Sequence, residues 1–169
     1  VYKMWFHCNG GEPHPDLHEI GYATSEDGIN WDYHPDNPVF RVGGKGSFES
    51  FLVVQPTIIK RGELYEMWYG ASPNKEFDFS VEGIKTLKGY IGHATSEDGI
   101  HWTRDSNNPV FGPVESGVES WVEDGAIMPT AILDGDKVRI WYVGIGRQGS
   151  WYPEETRGFQ YQIGYAESE

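Results

Sequence analysis

Three carboxylates have the residue type and the sequence setting for acid–base chemistry. Glu123 and Asp124 occur in "SWVEDGAIMP", and Glu49 occurs in the related stretch "SFESFLVVQP". One carboxylic acid can protonate a leaving oxygen while a second carboxylate attacks as a nucleophile or activates water. We therefore predict Glu123, Asp124 and Glu49 as candidate catalytic residues. The alternative is that they are solvated loop acids just before a strand, and the local environment decides between the two roles.

The two stretches align when Pro56 is placed over Pro129. The residue opposite Asp124 is then Phe51, and the residue opposite Glu123 is also uncharged, so the repetition itself does not require the acidic pair. Because side chains alternate along a strand, Glu123 and Asp124 are expected on opposite faces. At most one of them is therefore expected to point into a pocket.

Aromatic and polar residues near these stretches are candidates for binding a ligand. An aromatic ring in a long loop can stack on a ligand such as a sugar, and it can equally serve to pack the loop. The candidate substrate-binding residues are Trp121, Trp151, Tyr152, Gln55, His14 and Asp16.

One histidine-rich loop contains residue types that can hold a metal ion. His7, His14 and His18 lie near Glu12 and Asp16, and these residue types are metal ligands in many proteins. The string "HPDLH" nevertheless lacks an established ligand framework, and solvated loop histidines are commoner. The sequence therefore predicts no metal and no cofactor.

The composition excludes several classes of partner. The net charge of −13 repels a polyanion, so no nucleic acid is expected to bind. Cys8 is the single cysteine, which excludes an internal disulfide. No apolar run approaches the roughly 20 residues that cross a bilayer, so no membrane partner is expected. The compartment stays open, because a chain that begins at Val1 is compatible with a removed leader and with a longer gene product.

The elements that position these residues follow from an internal repeat. Three kinds of stretch recur in the same order along the chain, and the order predicts units of four antiparallel strands. The stretches are "YKMWF", "YEMWYG" and "RIWYVG"; "IGYATSEDG", "IGHATSEDG" and "IGYAESE"; and "VVQPTIIKRGEL" and "AIMPTAILDGDK". Trp5, Trp68 and Trp141 occupy one position of the unit, so we expect them to pack between units.

The turn residues support an all-β fold. The pairs Asp27-Gly28, Asp98-Gly99, Arg61-Gly62 and Asp134-Gly135 can supply the positive backbone angles of tight hairpins. Helical periodicity is absent over any long window. We predict one partial β-propeller domain over residues 1–169, with blade repeats at approximately 1–47, 48–119 and 120–169.

The strand order predicts about two and a half blades. The chain begins on the second strand of a blade and ends on the third strand of another, which leaves open blade faces and unpaired edges. Either the chain is part of a longer protein, or copies of it assemble, most simply as a two-fold dimer. The faces expected to be open carry residues such as Trp5, Phe6, Trp141 and Tyr142.

The pattern of a Pro-marked inner strand, "YEMWYG", "YIGHATSEDGIHWTR" and "NNPVF" resembles the five-bladed propeller glycoside hydrolases. These include the arabinanases, xylosidases, invertases and levansucrases, together with the related mannoside phosphorylases. The resemblance covers nearly the whole chain. It implies a sugar pocket on the face that carries the long loops, and cleavage of a glycosidic bond by two carboxylates.

The sequence departs from this family at the inner strands. The resemblance implies catalytic carboxylates immediately before the inner-strand Pro or two residues before it. This chain has Gln55 and Met128 in the first position, and Val54 and Ile127 in the second. Two functions therefore stay open. One is hydrolysis of glycosidic bonds as part of a complete or assembled propeller, and the other is a non-catalytic propeller module that binds sugar or protein.

Overall fold

Ten β-strands and one short 3-10 helix make up the regular structure of the residues that the structure describes. The structure is a computed structural model that describes residues 1–10, 15–73, 88–113, 120–147 and 159–168. The strands are β1 (Tyr2–Asn9), β2 (His18–Ser25), β3 (Asp32–Tyr33), β4 (Leu52–Arg61), β5 (Leu64–Ser72), β6 (Tyr90–Ser96), β7 (Thr103–Arg104), β8 (Gly125–Asp134), β9 (Lys137–Arg147) and β10 (Phe159–Glu167), with the 3-10 helix at Ser120–Val122. In the described part of the chain, no helix is long and apolar enough to cross a membrane.

The strands pair as three successive antiparallel units. The first blade contains β1, β2 and β3, the second contains β4 to β7, and the third contains β8, β9 and β10. This order confirms the predicted all-β partial propeller of about two and a half blades. The outermost strands β3 and β7 are only two residues long.

Each blade touches the next through one parallel bridge at the start of an inner strand. His18 of β2 pairs with Leu52 of β4, and Gly89 pairs with Gly125 of β8. Gly125 has φ 113°, and a Cβ there would lie 1.9 Å from the Gly89 carbonyl oxygen. Only glycine fits such an approach of two main chains.

The predicted tight turns are confirmed. Gly28, Gly62, Gly99 and Gly135 all have positive φ angles. In the first of these turns, Ser25 Oγ accepts a hydrogen bond from the Gly28 N–H at 2.8 Å. Asp27 Oδ1 accepts hydrogen bonds from the main-chain N–H groups of Ile29 and Asn30, so Ser25 and Asp27 hold the turn itself.

Two hydrophobic clusters fill the spaces between blades. The cluster between the first and second blades includes Ile20, Met67 and Tyr69, with Trp5 packed against it. The cluster between the second and third blades includes Trp68 and Ile140 among other buried side chains. The predicted packing role thus holds for Trp5 and Trp68.

An aromatic ring covers the glycine in each of the three repeated stretches "IGYA", "IGHA" and "IGYA". Gly21 lies under Phe6, Gly92 lies under Tyr69 and Gly164 lies under Tyr142, each on the neighbouring strand. A Cβ added at these glycines would come within 2.3–2.6 Å of a ring atom. The repeated glycine is therefore explained by the space that the ring occupies.

Candidate functional site

Asp124 is a buried carboxylate just before the inner strand of the third blade. Its side chain is 1% exposed, and Oδ1 lies 2.9 Å from Lys88 Nζ. Its main chain is also held, because Asp124 N–H donates to Ile145 O at 2.9 Å and Gly89 N–H donates to Asp124 O at 2.9 Å. A residue from the second blade therefore supplies the positive charge beside this carboxylate.

Glu123 lies beside Asp124 and is half-buried. The two residues form a turn between the 3-10 helix and β8, which begins only at Gly125. The expected alternation of Glu123 and Asp124 on opposite strand faces is therefore wrong, because neither residue lies in the strand. The fixed turn leaves Glu123 as the more accessible of the two acids.

Trp121 packs inside the third blade. Its ring is nearly parallel to that of Tyr142, with an interplanar angle of 13° and centroids 6.2 Å apart. A Cβ at Gly144 would lie 2.5 Å from the Trp121 ring, so this ring lies directly on the β9 main chain. Trp121 is half-buried, and it supports the turn that carries Glu123 and Asp124.

Glu49 is buried between the first and second blades. It is 3% exposed, accepts a hydrogen bond from the Tyr69 hydroxyl at 2.7 Å, and lies 2.5 Å from Arg104 Nε. Arg104 also donates to Arg41 O and lies over the Phe40 ring, 4.2 Å from its centroid. Both Glu49 oxygens are thus engaged by side chains of the second blade, and Tyr69 and Arg104 in turn contact the Phe40 ring of the first blade.

The buried position of Tyr69 affects its ionisation. Burial, and secondarily the negative charge of Glu49, raise the pKa of Tyr69 well above its usual value. Sequence reasoning missed both Tyr69 and Arg104. Arg104 could have been noticed as a departure from the repeat. It pairs with Ala94 of β6, and the equivalent residue of the first blade, which pairs with Ala23 of β2, is the uncharged Tyr33.

Gln55 and Met128 occupy the same strained position in two inner strands. They have φ angles of 51° and 55°, and each lies in a register shift of its strand pair. This common geometry confirms the alignment of Pro56 with Pro129. The Gln55 Oε1 atom is buried and has no hydrogen-bond partner within the described residues. Such strain occurs often at functional sites, so Gln55 stays a candidate ligand contact.

The remaining predicted residues are His14, Asp16, Trp151 and Tyr152. His14, Trp151 and Tyr152 lie outside the described residues. Asp16 is exposed just before β2. In the described segments, no group of three or more His, Cys, Asp or Glu side chains is arranged to hold a metal ion.

Sequence reasoning also missed the buried carboxylate of Glu19 and the contact between the rings of His7 and His18. Glu19 is 3% exposed; its carboxylate lies 3.4 Å from Arg41 Nη1 and accepts a hydrogen bond from Val42 N–H. Glu19 could have been noticed from the repeat, because the equivalent residue of the second blade is the uncharged Tyr90. His7 Nε2 and His18 Nδ1 are 2.7 Å apart.

Described residues line a cleft of about 540 Å³ on the first blade, where Phe6, Cys8, Tyr33 and Arg41 contribute to its lining. Another cleft, of about 370 Å³, lies beside the Asp98 turn. Neither is lined by Glu123 or Asp124, so the expected pocket near Trp121 or Trp151 stays a prediction.

Comparison with known proteins gives distant sequence relatives. No protein-family model matches the chain. Two uncharacterized proteins of Mycobacterium tuberculosis, from strains CDC 1551 and H37Rv, are each 27% identical over 127 residues. The match covers 73% of this chain, which spans only 36% of the length of these relatives.

Solved structures with a similar fold include carbohydrate-acting enzymes. A protein described as a glycoside hydrolase has a TM-score of 0.65 at 24% identity, over 99% of this chain and 41% of that one. The GH32 beta-fructofuranosidase of Bombyx mori has a TM-score of 0.57 at 19% identity, over 96% and 31%. An N-acetylgalactosamine deacetylase from F. plautii has a TM-score of 0.63 at 17% identity, over 98% and 46%. These likenesses confirm the resemblance to glycoside hydrolase β-propellers at the level of the fold.

Proposed function

We propose that this chain acts on carbohydrate as part of a glycoside hydrolase-like β-propeller. The observation that supports this most directly is the fixed turn of Glu123 and Asp124 at the start of an inner strand. Asp124 is 1% exposed and is paired with Lys88 of the neighbouring blade, so the turn has little freedom to move. A preorganised carboxylate is what acid–base cleavage of a glycosidic bond requires.

The two acids of the turn have different proposed roles. Glu123 is half-buried and is the carboxylate that substrate reaches, whereas Asp124 holds the turn through Lys88 and its main-chain bonds. Glu49 is the third carboxylate that the sequence predicts as a catalytic candidate. Its contacts with Tyr69 and Arg104 favour a role in joining the blades.

We assign sugar binding to residues at the end of the blades that carries the acidic turn of Glu123 and Asp124. Gln55 offers an amide from the strained inner strand, and Trp121 supports the acidic turn. We keep His14, Asp16, Trp151 and Tyr152 as proposed sugar contacts on the strength of their loop positions in the sequence.

Hydrolysis is proposed to need a complete or assembled propeller. Glycosidic cleavage generally uses two positioned carboxylates, and the residues before Pro56 and Pro129 are uncharged. The second carboxylate would then come from further inner strands, supplied by the remainder of a longer chain or by a second copy in a dimer.

Hydrolysis of aryl glycosides by the complete or assembled propeller tests the enzymatic proposal. We expect Glu123→Gln to lower turnover by about 100-fold or more, which is typical for loss of a general acid or base. Glu63→Gln is the matched control, because the Glu63 side chain is fully exposed at 102%. Turnover that Glu123→Gln leaves unchanged contradicts the catalytic role of this residue.

The second candidate function is a non-catalytic module that binds sugar or protein on the same face. It is favoured by Gln55 and Met128, which are uncharged and share the strained inner-strand position. Calorimetric titration with an oligosaccharide panel distinguishes the two functions. In the complete or assembled propeller, saturable binding without any turnover supports the module, whereas turnover that depends on Glu123 supports the enzyme.

A further inference from the structure

Two imidazole rings, those of His7 and His18, meet at the ends of the paired strands β1 and β2. His7 Nε2 and His18 Nδ1 are 2.7 Å apart, and the ring centroids are 4.9 Å apart. The two residues are diagonal neighbours in the sheet, because His7 lies opposite Ile20 and His18 lies opposite Asn9. The antiparallel pairing of the two strands therefore holds the main chain of both histidines.

The histidine pair lies on the face of the first blade that packs against the second blade. His7 shares a strand face with Trp5, since alternate residues of a strand point the same way. The Trp5 ring contacts Tyr65 of the second blade, with centroids 5.8 Å apart. The His18 ring lies 5.9 Å from the Phe51 ring of the second blade, and His18 N–H donates to Phe51 O at 3.4 Å. The position of the pair is thus set by contacts between two blades of this chain.

The internal repeat does not require either histidine. Gly70 is the counterpart of His7 in the second blade, because each lies opposite the isoleucine that precedes the repeated glycine. Gly89 is the counterpart of His18, two residues before the same isoleucine. The second blade therefore builds the same strand ends with two glycines, and the fold of a blade does not depend on imidazoles at these positions.

Two imidazole nitrogens held this close can chelate one metal ion. Imidazole is a ligand that Zn²⁺, Cu²⁺ and Ni²⁺ favour, whereas Ca²⁺ and Mg²⁺ take oxygen ligands. Zinc–nitrogen bonds of about 2.0–2.1 Å in a tetrahedral site place two nitrogens about 3.3 Å apart. The present pair would need to open by about 0.6 Å, which is a small rotation for the exposed His7 side chain.

The electrostatic setting also suits a cation. Burial, and secondarily the neighbouring His18, lower the pKa of His7, which favours the neutral imidazole that a metal binds. The net charge of −13 attracts cations to the chain as a whole.

We propose that His7 and His18 bind one divalent transition-metal ion of the class that favours imidazole, represented by Zn²⁺. His7 binds through Nε2 and His18 through Nδ1, and water completes the coordination. The ring that donates the present hydrogen bond changes tautomer, releasing the shared proton to water and taking one at its other nitrogen. The prediction of no metal from the sequence considered the residues of one loop, whereas this pair forms only when two strands meet.

Calorimetric titration of the full chain with ZnCl₂ at neutral pH tests the site. We expect one ion to bind saturably to each chain. His7→Gln and His18→Gln should each weaken binding by about tenfold or more, because a single imidazole loses the advantage of a second ligand held beside it. His101→Gln is the matched control, since His101 is 87% exposed in the second Asp-Gly turn, and it should leave binding unchanged.

Pulsed electron paramagnetic resonance of bound Cu²⁺ counts the coordinated imidazoles directly. We expect two in the wild type and one in each of the two variants at the site. Thermal denaturation gives an independent measurement, because an ion that binds the folded chain raises its stability. Zn²⁺ should raise the melting temperature of the wild type and of His101→Gln more than that of His7→Gln.

Four results would overturn the proposal. They are absence of saturable Zn²⁺ binding, binding that neither His7→Gln nor His18→Gln weakens, an equal loss in His101→Gln, and a Cu²⁺ spectrum with fewer than two imidazoles. None of these measurements depends on glycoside turnover or on sugar binding, so the test is separate from that of the proposed function.

Discussion

The ring of Tyr69 lies so close over Gly92 that a Cβ at Gly92 would be 2.3 Å from Tyr69 Cζ. Tyr69 is fully buried, and its hydroxyl is fixed by the hydrogen bond to Glu49. The ring therefore has no room to move away from the β6 main chain. This contact fixes the position of the Tyr69 ring between β5 and β6. It thereby also fixes the surface of the second blade that packs against the first blade.

We expect Gly92→Ala to lower the free energy of unfolding by about 1–3 kcal/mol, which is typical of overpacking in a core. Chemical denaturation measures this change. Gly44→Ala is the control, because no atom lies within 4 Å of a Cβ placed there, and its effect should stay within about 0.5 kcal/mol. Equal effects of the two substitutions would show that the Tyr69 ring moves to make room for the added methyl group.

Tyr69→Phe removes the hydroxyl that donates to the buried Glu49 carboxylate. We expect a loss of about 1–3 kcal/mol in the free energy of unfolding at neutral pH, because a buried acceptor loses its partner. Tyr33→Phe is the control, since Tyr33 is 68% exposed and should change little. Equal stability of the wild type and Tyr69→Phe would show that the hydrogen bond contributes nothing.

The raised pKa of Tyr69 predicts a stability contribution that is lost in alkali. Below the usual tyrosine pKa of 10.0, the phenol is protonated in the folded and the unfolded chain alike. Above that value, only the unfolded chain releases the proton, so the free energy of unfolding falls as pH rises. Denaturation from about pH 8 to about pH 11 should show a smaller fall for Tyr69→Phe than for the wild type. Parallel curves would contradict this.

Arg104→Leu leaves the buried Glu49 carboxylate without its cation. We expect a loss of about 1–3 kcal/mol, because the Glu49 side chain is 5% exposed and loses its charged partner, while Arg104 itself is 36% exposed. Arg139→Leu is the matched control, since Arg139 is 41% exposed but its partner Asp134 is 52% exposed, and it should cost less than about 1 kcal/mol. Differential scanning calorimetry would compare the two, and a similar loss in both would contradict the burial argument.

Lys88→Met tests the ion pair that holds the acidic turn. Asp124 is 1% exposed, so loss of Lys88 should lower the free energy of unfolding by about 1–3 kcal/mol. The control is Lys137→Met, whose pair with Glu167 is exposed on both sides and should be worth about 0–1 kcal/mol. If the two variants lose the same stability, the Lys88 pair contributes no more than an exposed ion pair does.

The fold could be predicted from the sequence because the internal repeat indicates the order of the strands in each blade. Placing Pro56 over Pro129 predicted two equivalent inner strands, and both show the same register shift and positive φ. The Asp-Gly turns were predictable for a similar reason, since they depend on two adjacent residues. Local chemistry of this kind is visible in a single sequence.

The site was less predictable because its contacts are distant in the chain. Glu49 meets Arg104 across 55 positions, and Asp124 meets Lys88 across 36, and no repeat or local pattern indicates such pairs. The alternation rule also failed at Glu123, because a 3-10 helix and a turn precede β8. Side-chain environment, which decides what a carboxylate does, arises only when the blades pack.

The bridges from His18 to Leu52 and from Gly89 to Gly125 join the second blade to a neighbour on each side. Among the described residues, opening this blade therefore breaks two interfaces between blades, whereas opening the first or the third breaks one of the two. Amide hydrogens along β5 should consequently exchange with solvent deuterium more slowly than those of the edge strands β1 and β10. The middle blade then acts as the cooperative unit of the chain, and the flanking blades open and close upon it by local unfolding.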